Sequence, residues 1–116
     1  MNQPEHQLQV NCINWMRYQH PKRLIFAIPN GGNRNVITAK KLKAEGVKAG
    51  IPDLFLAVPN NEHSGLFIEL KAGKNKPTDK QNEIIEYLKN VGYRCEVIYN
   101  FDDFRATVND YLKSTK

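Results

Sequence analysis

Between Gly50 and Lys71 the chain carries two short apolar runs joined by a connector too short to hold a helix. Asp53 to Val58 reads Asp-Leu-Phe-Leu-Ala-Val, Leu66 to Leu70 reads Leu-Phe-Ile-Glu-Leu, and only Pro59 to Gly65 lies between them. Short apolar runs bounded by Pro, Asn and Gly read as strands. A crossover to a parallel neighbour needs a dozen or more residues, so these two strands form an antiparallel hairpin. That hairpin fixes the middle of the fold.

Around it the period of the pattern changes. From Gln3 to about Gln19, Leu8, Cys12, Trp15 and Met16 recur on one face of a 3.6-residue period, and Pro4 suits a first helical turn. His20-Pro21 ends that helix. Arg23 to Ile28 reads as a strand, followed by a loop at Pro29-Asn30-Gly31-Gly32-Asn33. Asn35 to Glu45 reads as a Lys-rich helix closed by Gly46. After the hairpin, Pro77-Thr78 opens a helix running to about Val91, with Ile84, Ile85, Leu88 and Val91 inward and Gly92 as its stop. Tyr93 to Tyr99 alternates as a strand. Asn100 caps a last helix facing inward through Phe104, Val108, Tyr111 and Leu112. The expected order is α-β-α-β-β-α-β-α: an α/β fold with a mixed central sheet flanked by helices, in one domain spanning residues 1–116.

Composition narrows the function classes. With 41% hydrophobic and 25% charged residues the chain is of ordinary globular type. No apolar run approaches membrane-spanning length, and the polar start Met-Asn-Gln-Pro-Glu-His lacks the apolar stretch of a signal peptide. Cys12 and Cys95 stand far apart without a CxxC, which argues against a zinc site or a disulfide framework and fits a reducing, cytoplasmic location. His6, His20 and His63 show no ligand spacing and read as surface residues. The net charge of +5 is unevenly placed. Residues 22–50 carry a net +6 and residues 71–80 a net +3, while residues 51–70 carry −3 through Asp53, Glu62 and Glu69. An acidic island between basic segments suits a polyanion groove with a carboxylate centre. A solvated surface is the plainer explanation of the same charges.

The hairpin decides where those carboxylates go. Side chains alternate along a strand, so Glu69 and Lys71 share a face, and a hairpin sets Asp53, at the start of one strand, opposite them at the end of the next. Two carboxylates surrounded by apolar neighbours repel unless a cation compensates them. Carboxylate oxygens are the hard ligands that Mg²⁺ or Mn²⁺ accepts. Glu5, three residues before Leu8, projects from the inward face of the first helix. It is also an ordinary first-turn acid favoured by the helix dipole. Gln81 closes a capping box with Thr78, which accounts for it without any role in a site.

Pro52-Asp53 followed by Glu69-Leu70-Lys71 resembles the PD-(D/E)XK nuclease signature. More specifically, Pro29-Asn30-Gly31-Gly32, Gly46 to Leu54, Ile68 to Lys71 and Thr78-x-x-Gln81 together resemble the virus-type replication-repair nuclease family, VRR-NUC, as a stand-alone member. The resemblance implies a restriction-endonuclease-like core and a Mg²⁺- or Mn²⁺-dependent structure-specific DNA endonuclease. It implies that Glu5, Asp53, Glu69 and the main-chain carbonyl of Leu70 hold the metal. Lys71 would orient or help deprotonate the attacking water and steady charge at phosphorus, and Gln81 would join the active site. Stand-alone members look like resolvases that cut four-way (Holliday) junctions as homodimers. Arg34, Lys40, Lys41, Lys43, Lys48, Lys74 and Lys76 are the candidates for DNA-backbone contacts, with Gly31 and Gly32 allowing close approach to phosphate. The rival readings are a non-catalytic nucleic-acid-binding module on a nuclease fold and a restriction-type nuclease acting on duplex DNA.

Overall fold

A computed structural model describes residues 2–29 and 36–115 of the chain, leaving the side chain of Val36 aside. Eight elements follow the expected order: α1 (Gln3–Gln19), β1 (Ile25–Ala27), α2 (Val36–Ala44), β2 (Leu54–Leu56), β3 (Leu66–Leu70), α3 (Asp79–Asn90), β4 (Arg94–Ile98) and α4 (Phe101–Leu112). The strands form one sheet in the order β1-β2-β3-β4, with β1·β2 and β2·β3 antiparallel and β3·β4 parallel. The parallel pair is what α3 makes possible, because it carries the chain back to the starting end of the sheet.

One face of the sheet builds the core. Leu54, Leu56, Leu66, Ile68 and Leu70 are fully buried against Cys12 and Met16 of α1 and Phe104, Val108 and Tyr111 of α4. Each helix presents these residues at three- and four-residue steps, so its apolar stripe lies flat on the strands. Trp15 packs edge-on to Phe101 and Phe104 at the rim of that core. Tyr111 donates its hydroxyl to the Val58 carbonyl at 2.6 Å, which ties α4 to the exit of β2. On the opposite face Phe55 and Phe67 lie 4.4 Å apart between Phe26 and Tyr93, forming a row of half-buried rings. Gly65 is needed beside this row, since a Cβ there would stand 2.6 Å from the Phe55 ring.

The first two strands are shorter than the sequence suggests, and the reasons are local. The Ile28 N–H still reaches the Asp53 carbonyl and the Ala57 N–H the Leu24 carbonyl, so ladder bonds continue past the regular strand ends. Asp53 leaves the regular strand because its side chain takes over a ladder bond, as described below. Val91, expected inward, is half exposed, because α3 is already turning out at Gly92, whose φ is +110°. The histidines are not uniformly on the surface. His20 packs edge-on to Trp15 at 5.2 Å, and His63 is half-buried beside Tyr111 with its Nδ1 enclosed and unpaired. Cys12 and Cys95 are buried free thiols, both pushed upward in pKa by burial.

Candidate active site

The hairpin register pairs Leu54 with Ile68, which sets Asp53 beside Glu69 at one end of the sheet. Both carboxylates are buried, at 7% and 2% exposure, on the same face as Phe55 and Phe67. The Asp53 Oδ2 accepts the Leu70 N–H at 2.8 Å, so a side chain replaces a backbone partner where β2 stops. The N–H and C=O of one residue leave a strand on the same edge. The Leu70 carbonyl therefore faces the Asp53 side, while the Lys71 N–H turns to the Ile98 carbonyl of β4.

Glu69 is unevenly served. Its Oε2 lies 3.4 Å from the Gln81 Nε2 and 3.7 Å from the Lys71 Nζ, whereas its Oε1 is enclosed with no hydrogen-bond partner. Burial is the main reason that its pKa rises to about 8, reinforced by the negative charge of Asp53 beside it. Lys71 pulls the other way and does not prevail. The Asp53 pKa is raised as well, chiefly by burial, and is held back by the Leu70 N–H and by Lys71. Both carboxyls are therefore pushed toward their neutral forms when no cation is near.

Glu5 reaches this end of the sheet from α1, 8% exposed, and its charge raises both pKa values. Its placement has two parts. Asn2 caps α1, accepting the Glu5 N–H and donating its amide to the Glu5 Oε2 at 2.9 Å. Asn75, in the loop after β3, donates to the same oxygen at 3.3 Å, and Tyr99 fixes that loop through the Asn75 carbonyl. The Asn-x-x-Glu spacing at Asn2 is a cap signal legible in sequence. Asn75 acts across 70 residues of chain and leaves no periodic trace. Gln81 completes a capping box with Thr78 through its backbone and side chain, and its amide lies 3.4 Å from the Glu69 Oε2.

Among the described residues no three His, Cys, Asp or Glu side chains form a ready-made ligand cluster. The donors at hand are the Asp53–Glu69 pair, the carbonyl edge of Leu70 and the more distant Glu5. An enclosed carboxylate oxygen without a partner, in an all-oxygen set, is the chemistry a hard divalent cation satisfies. Lys40, Lys41, Lys43, Lys48, Lys74 and Lys76 are all exposed. Arg34, Gly31 and Gly32 lie outside the described residues.

The VRR-NUC domain model matches residues 1–102. The chain belongs to the VRR-NUC family. A solved structure titled "VRR_NUC domain protein" superposes with a TM-score of 0.84 at 30% identity, covering 100% of this chain and 93% of that one. No curated protein sequence matches significantly. As a VRR-NUC domain the chain has a nuclease fold, and the family's nucleases depend on metal. None of the described helices of this domain is long and apolar enough to cross a membrane.

Proposed function

We propose that this VRR-NUC domain is a Mg²⁺- or Mn²⁺-dependent structure-specific endodeoxyribonuclease that hydrolyses phosphodiesters at branched DNA, four-way junctions included, and works as a homodimer. The observation that carries the reading is the buried Asp53–Glu69 pair beside Lys71, with one enclosed glutamate oxygen lacking a partner. Asp53, Glu69, the Leu70 carbonyl and Glu5 would hold the divalent ion. When bound, it supplies Lewis-acid stabilisation of charge at phosphorus and a more acidic water.

The side chains do the rest. Asp53 and Glu69 would both be ionised with a divalent cation in place, since its charge would offset the repulsion between them. Lys71, 3.7 Å from Glu69 and 12% exposed, has its ammonium at the mouth of the site. There it orients the attacking water and steadies negative charge developing on the phosphoryl oxygens. Gln81 and Asn75 keep Glu69 and Glu5 from rotating away. The exposed lysines on and after α2 and in the loop after β3 hold the phosphate backbone without reading sequence. A non-catalytic module would lack one of these groups, and Asp53, Glu69 and Lys71 are all present.

Resolving a four-way junction takes two symmetric cuts, and a small chain with one site supplies them as a two-fold dimer. The test is a cleavage panel of linear, flap and four-way DNA with Mg²⁺, read beside the sedimentation of the protein on DNA. Paired nicks on the junction by a dimer support the proposal. Equal cutting of linear duplex by a monomer favours the restriction-type alternative.

A further inference from the structure

A depression of about 460 Å³ lies between α2, the turn from Gly46 to Ala49 and the start of α3. Leu42, Val47 and Ala49 contribute apolar surface to it, and its charged lining residues are Lys43, Lys48 and Lys80, with no acid among them. The volume is within the range of small-molecule pockets.

The wall of this pocket is firmly built. Gly50 has φ +92°, and a Cβ there would stand 2.8 Å from the Lys80 Cγ and 3.3 Å from the Lys80 carbonyl. The turn backbone therefore rests directly on Lys80, which fixes the distance between the two sides. Both sides also run straight into the candidate active site. Gly50 is followed within three residues by Asp53, and Lys80 by Gln81, whose amide touches Glu69. A ligand in the pocket would touch chain segments that lead into the catalytic end of the sheet.

Three cations select an anionic ligand, and the aliphatic surface favours one that also carries an apolar part. A nucleotide joined to its phosphates has both. We propose that this pocket receives one unpaired nucleotide of the DNA next to the cut, its base against Leu42, Val47 and Ala49 and its flanking phosphates on Lys43, Lys48 and Lys80. The inference rests on the nuclease reading above and adds to it the feature of the substrate that is recognised. A base that is already unpaired enters at little cost, whereas a paired base must first be unstacked. The pocket thereby favours branch points carrying a single-stranded nucleotide over continuous duplex. It also divides the lysines by role: Lys40 and Lys41 do not line the pocket and meet only the backbone.

The experiment uses two DNAs, a flap with one unpaired 2-aminopurine at the branch and a fully paired duplex, with Ca²⁺ for binding and Mg²⁺ for cleavage. Ala49 is exposed, so Ala49→Phe fills the pocket without disturbing the core. Wild type should change the 2-aminopurine fluorescence on binding and prefer the flap to the duplex, since a paired base must first be unstacked. Ala49→Phe should lose the signal and the preference while binding paired duplex as wild type does. Lys48→Ala should weaken the flap more than the duplex. An unchanged signal and preference in Ala49→Phe, with DNA still bound and cut, overturns the pocket and leaves the nuclease reading standing. Absence of binding and cleavage on both DNAs in wild type overturns the nuclease reading and this inference with it.

Discussion

Glu69→Gln should stabilise the metal-free protein while abolishing its cleavage. The wild-type glutamate keeps its proton in the folded state up to about pH 8, against 4.5 for an ordinary glutamate. A folded-state pKa above the unfolded value means that the native protein binds the extra proton, so stability falls as pH rises between the two. Below pH 4.5 both states are protonated and the group costs nothing. At pH 7 the unfolded chain has released the proton and the native state holds it, an interval worth about 3 kcal/mol as a ceiling at 1.4 kcal/mol per pH unit. Glu69 is 2% exposed, so solvent screening takes little from this figure. Against a total stability of about 5–15 kcal/mol the effect is large. Glutamine keeps the shape and removes the charge. Urea melts in EDTA at pH 5, 7 and 9 should show the variant gaining little at pH 5, up to ~3 kcal/mol at pH 7, and no further gain beyond pH 8. Mg²⁺ should raise the wild-type midpoint by mass action and leave the variant nearly still. Parallel pH profiles for the two proteins would refute the argument, because they would mean that Glu69 is ionised and paired in the native state without a metal.

Lys71→Ala should lose cleavage by roughly 100-fold or more even at saturating Mg²⁺, while the metal-dependent shift in melting remains, since its part is toward water and phosphate. Gln81→Ala removes half of a capping box and a donor to Glu69, so it should cost ~1 kcal/mol in a urea melt and slow cleavage at equal folded fraction. Loss of stability with wild-type cleavage would leave Gln81 as a cap alone. Replacing Lys40, Lys41 and Lys43 together by Ala should lower the salt dependence of DNA binding by about 0.9 for each phosphate no longer neutralised, up to ~3 in all. Superimposable salt slopes would move the DNA path to Lys74, Lys76 and Lys80.

The elements that the sequence delimits best are those whose ends are chemical. Thr78 and Gln81 mark the start of α3, Asn100 that of α4, and Gly92 the stop of α3, because capping uses side chains visible in the sequence. The meeting of Asp53 with Glu69 follows from a connector too short for anything except a hairpin, and α3 supplies Gln81 in sequence order. What escaped is the support of Glu5. Asn2 is a cap that the Asn-x-x-Glu spacing announces, but Asn75 and Tyr99 act only once a loop has folded back across the end of the sheet. Strand ends are illegible for a related reason. Whether Asp53 belongs to β2 depends on its side chain taking the Leu70 N–H, a choice made between two strands.

The most direct test of the central claim is single-turnover cleavage of an end-labelled four-way junction with and without Mg²⁺, wild type against Asp53→Asn. The variant keeps an oxygen for the Leu70 N–H and loses one of the two buried carboxylates. Wild type should nick in a Mg²⁺-dependent way and Asp53→Asn not at all, with junction binding in the variant equal or tighter. Nicking by Asp53→Asn at the wild-type rate, or by wild type in EDTA, would contradict that claim.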